Sequence, residues 1–176
     1  MNRIGASTGI FVDGRAWKSK AALSAYTGDA FRDLNRGLRN KDGLTAEQRV
    51  LVSDLSAALK KLPAYQGTVY RGVGLKSEAE VSDIAERLNN SRTEGFPAFT
   101  STSTSREVAR HYAGDGPRVL YSIESKRGRY LSDYSASATT PKSNTEREVL
   151  FDRRSRYIVQ SSRRDGETLH ISLREK

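Results

Sequence analysis

The chain has 176 residues, a formal net charge of +9 and no cysteine. This length suits one domain with its own core. The absence of cysteine excludes a disulfide framework and a thiolate zinc site, and two histidines are too few for a histidine-based metal site. No apolar run approaches the roughly 20 residues that span a membrane. The positive charge suggests an anionic partner, which leaves nucleic acid, a phosphate-rich cofactor and an acidic protein open.

The spacing of apolar residues predicts helices in the first half of the chain. A helix from about residue 29 to 39 carries an apolar stripe made of Phe31, Leu34 and Leu38. Thr45, with Gln48 three residues later, forms a capping box that opens a second helix, and Pro63 ends it. Ser77 and Glu80 predict another capping box, at the start of a third helix that fades near residue 90.

The second half of the chain has the composition of strands, and a first strand over residues 68–73 precedes the third helix. Further strands are predicted at residues 96–103, 119–123, 130–132, 148–151, 157–160 and 169–173, with a short helix over residues 106–112. Residues 133–145 form a long polar loop, and loops of this length are usually functional or disordered. Helices first and strands later indicate an α+β fold in a single domain over residues 1–176, with residues 1–15 as a poorly ordered lead-in.

Glu146 and Glu148 lie one residue apart at the start of an apolar strand. In an extended backbone their side chains face the same side, roughly 6–7 Å apart. Two solvated acids at a strand end are the ordinary explanation. The alternative is chemical: one carboxylate stabilises a developing cation and the other handles a proton.

Two other strands carry polar groups in unusual places. Arg71 stands in an apolar strand that ends in glycines, and it either faces water at an edge or grips a phosphate or carboxylate. Ser101 and Ser103 share one face of a short strand, where small hydroxyls can orient neighbouring charged groups. Each motif by itself is weak.

Taken together and in this order, the three motifs resemble those of the arginine–serine–glutamate class of ADP-ribosyltransferases. The matching segments are Val69-Tyr70-Arg71-Gly72, Phe99-x-Ser101-Thr102-Ser103 and Glu146-x-Glu148-Val149-Leu150. Further matches to bacterial toxin members are Tyr26-Thr27-Gly28, Leu34-Asn35, Leu38-Arg39 and the ending from Ile158 to Leu173. The resemblance implies N-terminal helices packed on two antiparallel or mixed sheets that form an NAD cleft.

The resemblance also implies roles for individual residues. Glu148 would bind the NAD ribose and stabilise its positive charge, and Glu146 would orient and deprotonate an arginine acceptor. Arg71 would bind the NAD diphosphate, with Arg118 as a second phosphate contact. The remaining expected contacts to NAD are Tyr26, Asn35, Tyr70, Gly72, Ser101, Thr102 and Ser103. Ser101 would also hold the geometry around Arg71 and Glu148, and Tyr134 in the polar loop would contact the target.

The implied activity is transfer of ADP-ribose from NAD, used as co-substrate without a metal, to an exposed arginine of a target protein. Such a chain would be a whole small protein or a domain of a larger secreted toxin or effector that acts in the cytoplasm of a target cell. A bacterial target would require a cognate immunity protein. The alternatives are a phage-type transferase that modifies host transcription or translation proteins, an NAD glycohydrolase, a transferase acting on nucleic acid, and a basic nucleic-acid-binding module without NAD chemistry.

Overall fold

A computed structural model describes residues 21–23, 31–40, 43–131 and 147–176 of the chain. Several sequence-based expectations fall outside these residues. They are the lead-in over residues 1–15, Tyr26, the polar loop over residues 133–145 with Tyr134, and Glu146. The described part is a mixed helix and strand structure, as the α+β prediction requires.

The helices lie where the apolar spacing predicts them. Their bounds are α1 Phe31–Arg39, α2 Ala46–Lys61, α3 Glu78–Ser91 and α4 Arg106–Ala113. At the start of α2, the Gln48 backbone N–H donates to the Thr45 hydroxyl at 3.2 Å, and the Thr45 backbone N–H donates to the Gln48 side chain at 3.0 Å. These two bonds confirm the first capping box, because both backbone donors at the helix start find a partner.

The second predicted capping box is only half formed. The Ser77 hydroxyl accepts from the Glu80 backbone N–H at 3.4 Å, which caps α3. The Glu80 carboxylate, however, accepts from the backbone N–H of Lys76 at 2.9 Å rather than from that of Ser77. The prediction of a reciprocal box was therefore wrong at α3, because the carboxylate reaches one residue further back along the chain.

The strands within the described residues are β1 Ala64–Gly74, β2 Thr93–Phe96, β3 Thr100–Ser103, β4 Arg118–Tyr130, β5 Glu148–Phe151, β6 Ser155–Asp165 and β7 Thr168–Glu175. Two predictions were wrong in detail. The β-rich stretch over residues 96–103 divides into β2 and β3, with Pro97 in the break between them. Residues 119–123 and Tyr130, which were predicted in two separate short strands, belong to a single strand, β4.

The charged second half of β4 stays extended because of a buried carboxylate at the end of β7. Glu175, with a side chain only 2% exposed, accepts the backbone N–H groups of Lys126 and Arg127 at 2.7 and 2.8 Å. Its second oxygen accepts from the Arg127 side chain at 3.0 Å. These bonds satisfy the backbone in an extended form, so the strand continues through the residues between the two predicted strands.

All seven of these strands join in one mixed sheet of order β1-β3-β5-β4-β7-β6-β2, and β1 also pairs with β4. The β4–β7 pair is parallel and the others are antiparallel. The expected division into two separate sheets is not confirmed. Because β1 pairs with both β3 and β4, and β5 also joins those two strands, the four strands form a closed ring of pairings at one end of the sheet.

Two buried clusters lie on opposite faces of β5. Leu150 packs with residues of α1 and α2, including Leu34 and Leu55. Val149 and Phe151 pack with the apolar side chains of β4, β7 and α3. Successive side chains of a strand alternate between faces, so Glu148 lies on the same face as Leu150. The fold thereby places Glu148 on the side where α1 and α2 pack.

Candidate active site

Arg71 lies in the middle of β1, and its guanidinium reaches the neighbouring strand β3. Its Nη1 donates to the backbone oxygen of Ser101 at 2.8 Å. The guanidinium carbon also stands 5.8 Å from the ring centre of Phe96, within the range of a cation–π contact. Across the β1–β4 pair, Arg71 is opposite Tyr121. Arg71 is thus held between a backbone acceptor and an aromatic surface, which restricts the positions of its charge.

Ser103 connects the arginine strand to the glutamate strand. It is opposite Tyr70 in the β1–β3 pair and opposite Glu148 in the β3–β5 pair. Opposed residues of adjacent strands share a face, with Cβ atoms about 4.5–5.5 Å apart. Tyr70, Ser103 and Glu148 therefore form one row across three strands. Ser103 is 5% exposed, whereas Tyr70 and Glu148 are half-buried.

The backbone around Glu148 is fixed on both sides. The Leu131 backbone N–H donates to the backbone oxygen of Glu148 at 2.9 Å. The Thr104 backbone N–H donates to the backbone oxygen of Arg147 at 3.1 Å. Arg147 itself has a φ of 45°, a left-handed conformation that is uncommon outside glycine, asparagine and aspartate. The chain therefore turns sharply just before the strand that carries Glu148.

Two other predicted contacts have structural roles of their own. The Thr102 hydroxyl is buried and donates to the backbone oxygen of Val149 at 2.6 Å, which ties β3 to β5. Gly72 lies under α4, where an added Cβ would stand 1.8 Å from the backbone oxygen of Ala109. Only a glycine allows the helix to approach this closely.

Asn35 and Arg118 differ in which side of the sheet they occupy relative to the other predicted site residues. Asn35 is 6% exposed on α1, the helix whose Leu34 packs with Leu150 on the Glu148 side of the sheet. Arg118 is three residues from Tyr121 on β4, so it faces the opposite side of the sheet from Arg71. Its side chain donates to Thr168 at 2.9 Å and to the backbone oxygen of Gly114. The structure does not bring Arg118 and Arg71 together.

The sequence motifs did not include the buried cluster behind Arg71. The ring of Phe96 packs edge-on against Tyr121, with ring centres 5.6 Å apart, and also contacts Tyr157 at 5.4 Å. Burial, followed by the nearby Glu94 carboxylate, raises the pKa of the Tyr121 hydroxyl, so the ring stays neutral. The alternation of Val119, Tyr121 and Ile123 was the signal that could have identified Tyr121 as inward-facing.

Glu94 brings a charge into this cluster. Its side chain is 4% exposed and forms a two-point ion pair with Arg87, at 3.1 and 2.8 Å. It also accepts from the Gly95 backbone N–H at 2.9 Å. The pair raises the pKa of the Arg87 guanidinium, chiefly through the hydrogen bonds to Glu94. Both oxygens of the buried carboxylate therefore accept hydrogen bonds.

Neither a metal centre nor a membrane helix emerges from the described ranges. Residues 21–23, 31–40, 43–131 and 147–176 contain no group of three or more His, Asp or Glu side chains that could hold a metal ion. Within the same ranges, no helix is both long and apolar enough to cross a membrane.

Comparisons against known proteins show the family to which the chain belongs. A family model described as ADP-ribosyltransferase exoenzyme matches residues 15–172. The chain therefore belongs to the ADP-ribosyltransferase exoenzyme family.

Two named relatives are described as ADP-ribosyltransferases. A candidate NAD(+)–arginine ADP-ribosyltransferase of Mycobacterium avium, Mav, is 36% identical over 84% of this chain, which spans 16% of Mav. The NAD(+)–protein-arginine ADP-ribosyltransferase Tre1 of Serratia proteamaculans is 29% identical over 88% of the chain, which spans 31% of Tre1. The chain thus spans less than a third of the length of either relative.

A solved structure has the same fold over nearly the whole chain. It is the ADP-ribosyltransferase Vis in complex with agmatine, at a TM-score of 0.73 and 26% identity, covering 93% of this chain and 81% of that one. Vis comes from Vibrio splendidus and is elsewhere described as a toxin.

Proposed function

We propose that the chain is an NAD-dependent mono-ADP-ribosyltransferase that moves ADP-ribose from NAD to an arginine side chain of a protein. The observation that carries this proposal is the meeting of three motifs at one place. Arg71 donates to Ser101, and Ser103 stands directly between Tyr70 and Glu148. Each of these residues has an ordinary structural explanation by itself, but together they bring an arginine, two serines and a glutamate onto three adjoining strands.

The chemistry follows from the charge that develops on the substrate. When the bond between nicotinamide and the ribose breaks, nicotinamide leaves as a neutral amine and positive charge builds on the ribose. Glu148, half-buried beside Ser103, supplies the negative charge that stabilises this transition state. Arg71 supplies a positive charge for the diphosphate, and its planar guanidinium suits the recognition of phosphate oxygens.

Glu146 is the proposed acceptor-side residue. An arginine guanidinium has a pKa above about 12, so it needs a carboxylate that orients it and takes its proton as its nitrogen attacks the ribose. The new bond joins that nitrogen to the ribose carbon that nicotinamide leaves. Glu146 lies outside the described residues, and its role rests on the Glu-x-Glu pattern and on relatives whose names specify arginine.

We also propose that the chain is the catalytic part of a toxin or effector delivered into the cytoplasm of another cell. The support is the exoenzyme family and the toxin description of Vis. A chain that modified bacterial proteins would require an immunity protein in the producing cell. Type VI secretion is one route that would suit such a toxin.

The direct test measures two products with NAD and agmatine, a small guanidine that can act as acceptor. Glu148→Gln is expected to lower both nicotinamide release and ADP-ribosyl-agmatine formation by about 10²–10³-fold or more. Glu86→Gln is the matched control, since Glu86 is an exposed acid on α3. A Glu148→Gln protein that folds normally and keeps the parent rates would refute the proposal.

A further inference from the structure

A groove lies between α4 and the strands β4 and β7, away from Glu148. Its volume is about 470 Å³, and its lining residues are Arg106, Glu107, Arg110, Leu120, Thr168 and His170. We infer that this groove, called the basic groove here, is a docking site for an acidic segment of the protein that the chain modifies. The inference rests on the proposed function, because it assigns the groove to the protein acceptor.

The side chains of the groove are arranged to attract negative charge. Arg106 and Arg110 are exposed and lie one helical turn apart, so they occupy one flank of α4. Arg163 adds a third cation, because it lies opposite His170 in the β6–β7 pair. Glu107 is the only carboxylate among the lining residues, and Asp165, opposite Thr168 in the same strand pair, is a second acid beside the groove, so three arginines stand against two acids.

The pKa of His170 is affected by the same arginine charges. Burial lowers it first, and the charges of Arg163 and Arg106 lower it further, with Asp165 acting in the opposite direction. The His170 imidazole in the groove therefore favours its neutral form, while the guanidinium groups around it stay charged. An acidic segment would therefore meet a net positive charge at the groove.

One wall of the groove is held in place before any partner arrives. Arg110 and Arg118 both donate to the backbone oxygen of Gly114, the residue that follows the last residue of α4. Arg118 also donates to Thr168 at 2.9 Å, which ties the helix end to β7. Side chains that are already ordered lose less conformational freedom on binding, and this favours affinity.

The groove and the catalytic residues lie on opposite flanks of α4. The helix packs over Gly72 and Gly74 of β1. On one side of β1 come β4 and β7, which line the groove, and on the other come β3 and β5, which carry Ser103 and Glu148. β5 and β7 both pair with β4 but at different places along it, β5 at Arg129 and Tyr130 and β7 over residues 118–124, so the groove and Glu148 are separated along that strand. A single protein surface can cover both places at once.

The chemistry of the acceptor explains why the second contact would be acidic. An arginine acceptor is a cation, and it must approach a chain whose formal net charge is +9. Negative charge around that arginine would offset the repulsion and increase the rate of association. The basic groove gives such negative charge a defined place, so selection of the target protein would extend beyond the arginine itself.

Two synthetic acceptor peptides test the inference. Each carries one arginine and an eight-residue Gly/Ser spacer, which reaches about 26 Å when extended. One ends in four glutamates and the other in four glutamines. The KM for the glutamate peptide is expected to be several-fold lower than that for the glutamine peptide, with similar kcat values. The difference should shrink in 0.5 M salt, because exposed charges are then screened.

The groove variant is Arg106→Gln with Arg110→Gln, and its control is Arg49→Gln with Lys60→Gln, two exposed cations of α2. The groove variant should lose most of the preference for the glutamate peptide, a roughly fivefold or larger rise in its KM, since each exposed ion pair contributes a few-fold at most. Its rate with agmatine should stay at the parent value. The control should keep the preference.

Binding without catalysis separates this inference from the proposed function. A fluorescent hexaglutamate peptide is titrated with each protein, and its fluorescence anisotropy is measured. Saturable binding that weakens in the groove variant alone supports the docking site, even if the chain transfers nothing to arginine. Equal binding by the groove variant and its control would overturn the inference, as would stronger competition by a single-stranded oligonucleotide than by unlabelled hexaglutamate.

Discussion

Ser103 and Glu148 stand directly opposite each other across the β3–β5 pair. Ser103 also uses its hydroxyl to accept the backbone N–H of Ser105 at 3.0 Å, where β3 turns into α4. One buried serine therefore joins the glutamate strand, the arginine strand and the start of the helix that borders the basic groove. The positions of these elements are coupled through a single point in the sheet.

Arg71→Lys should raise the KM for NAD about tenfold or more. A lysine provides one point charge and cannot donate to Ser101 while also gripping the diphosphate with a planar fork. Initial rates of nicotinamide release at varied NAD measure the effect. Arg118→Lys is the comparison, and it should change the KM less than about threefold, because Arg118 faces away from Arg71. An equal effect of both changes would show that Arg118 contacts the diphosphate too.

Gly72→Ala should destabilise the protein through a clash with α4. The new Cβ would lie 1.8 Å from the Ala109 oxygen, so the helix must move, at a cost of about 1–3 kcal/mol or more. Urea unfolding followed by circular dichroism measures the loss. Gly116→Ala is the control, because no atom lies within 4 Å of a Cβ placed there. Equal stability of the two variants would mean that α4 does not pack on Gly72 in this way.

Arg87→Gln should weaken the fold more than a similar change at an exposed ion pair. The Glu94 carboxylate is 4% exposed and would lose two hydrogen bonds, keeping the one from Gly95. Because Arg87 itself is half exposed, we expect a loss of about 2 kcal/mol, below the range for fully buried pairs. Arg36→Gln, which breaks the exposed pair with Asp33, should cost less than about 1 kcal/mol. Equal losses in urea unfolding would contradict the assigned burial.

Glu146→Gln should abolish transfer to arginine while leaving part of the NAD hydrolysis. An amide cannot take a proton from the guanidinium, whereas stabilisation of the ribose cation depends on Glu148. Nicotinamide release and agmatine modification are measured in the same reaction. Equal loss of the two activities would assign Glu146 to the NAD side of the reaction instead.

His170 should make the stability depend on pH below neutrality. Its pKa is lowered in the folded protein, so near its ordinary value of about 6.5 the unfolded chain binds the proton more readily. The free energy of unfolding should therefore fall as the pH drops through 6.5 and level off below the folded pKa. Urea unfolding of the parent and of His170→Asn at pH 7.5 and 5 tests this, with His111→Asn as control. Only the His170 variant should show a smaller decrease.

Local patterns predicted the helices well and the strands less well. The Thr45 capping box is a contact between residues three apart, and it formed as predicted. The length of β4 depends on Glu175, which is distant in sequence and supplies the acceptors for Lys126 and Arg127. No local pattern could contain that information, because the stabilising group belongs to another strand.

The amino-acid sequence by itself determined the set of chemical groups and the face that each one occupies along its own strand. Alternation places Ser101 and Ser103 on one side, and it separates Arg118 from Tyr121, whatever the rest of the fold is. The tertiary structure decided which of these groups become neighbours. Strand register pairs Ser103 with Tyr70 and Glu148. Close packing between distant segments places α4 over Gly72. Those long-range contacts separate the row of Tyr70, Ser103 and Glu148, the proposed catalytic row, from the basic groove.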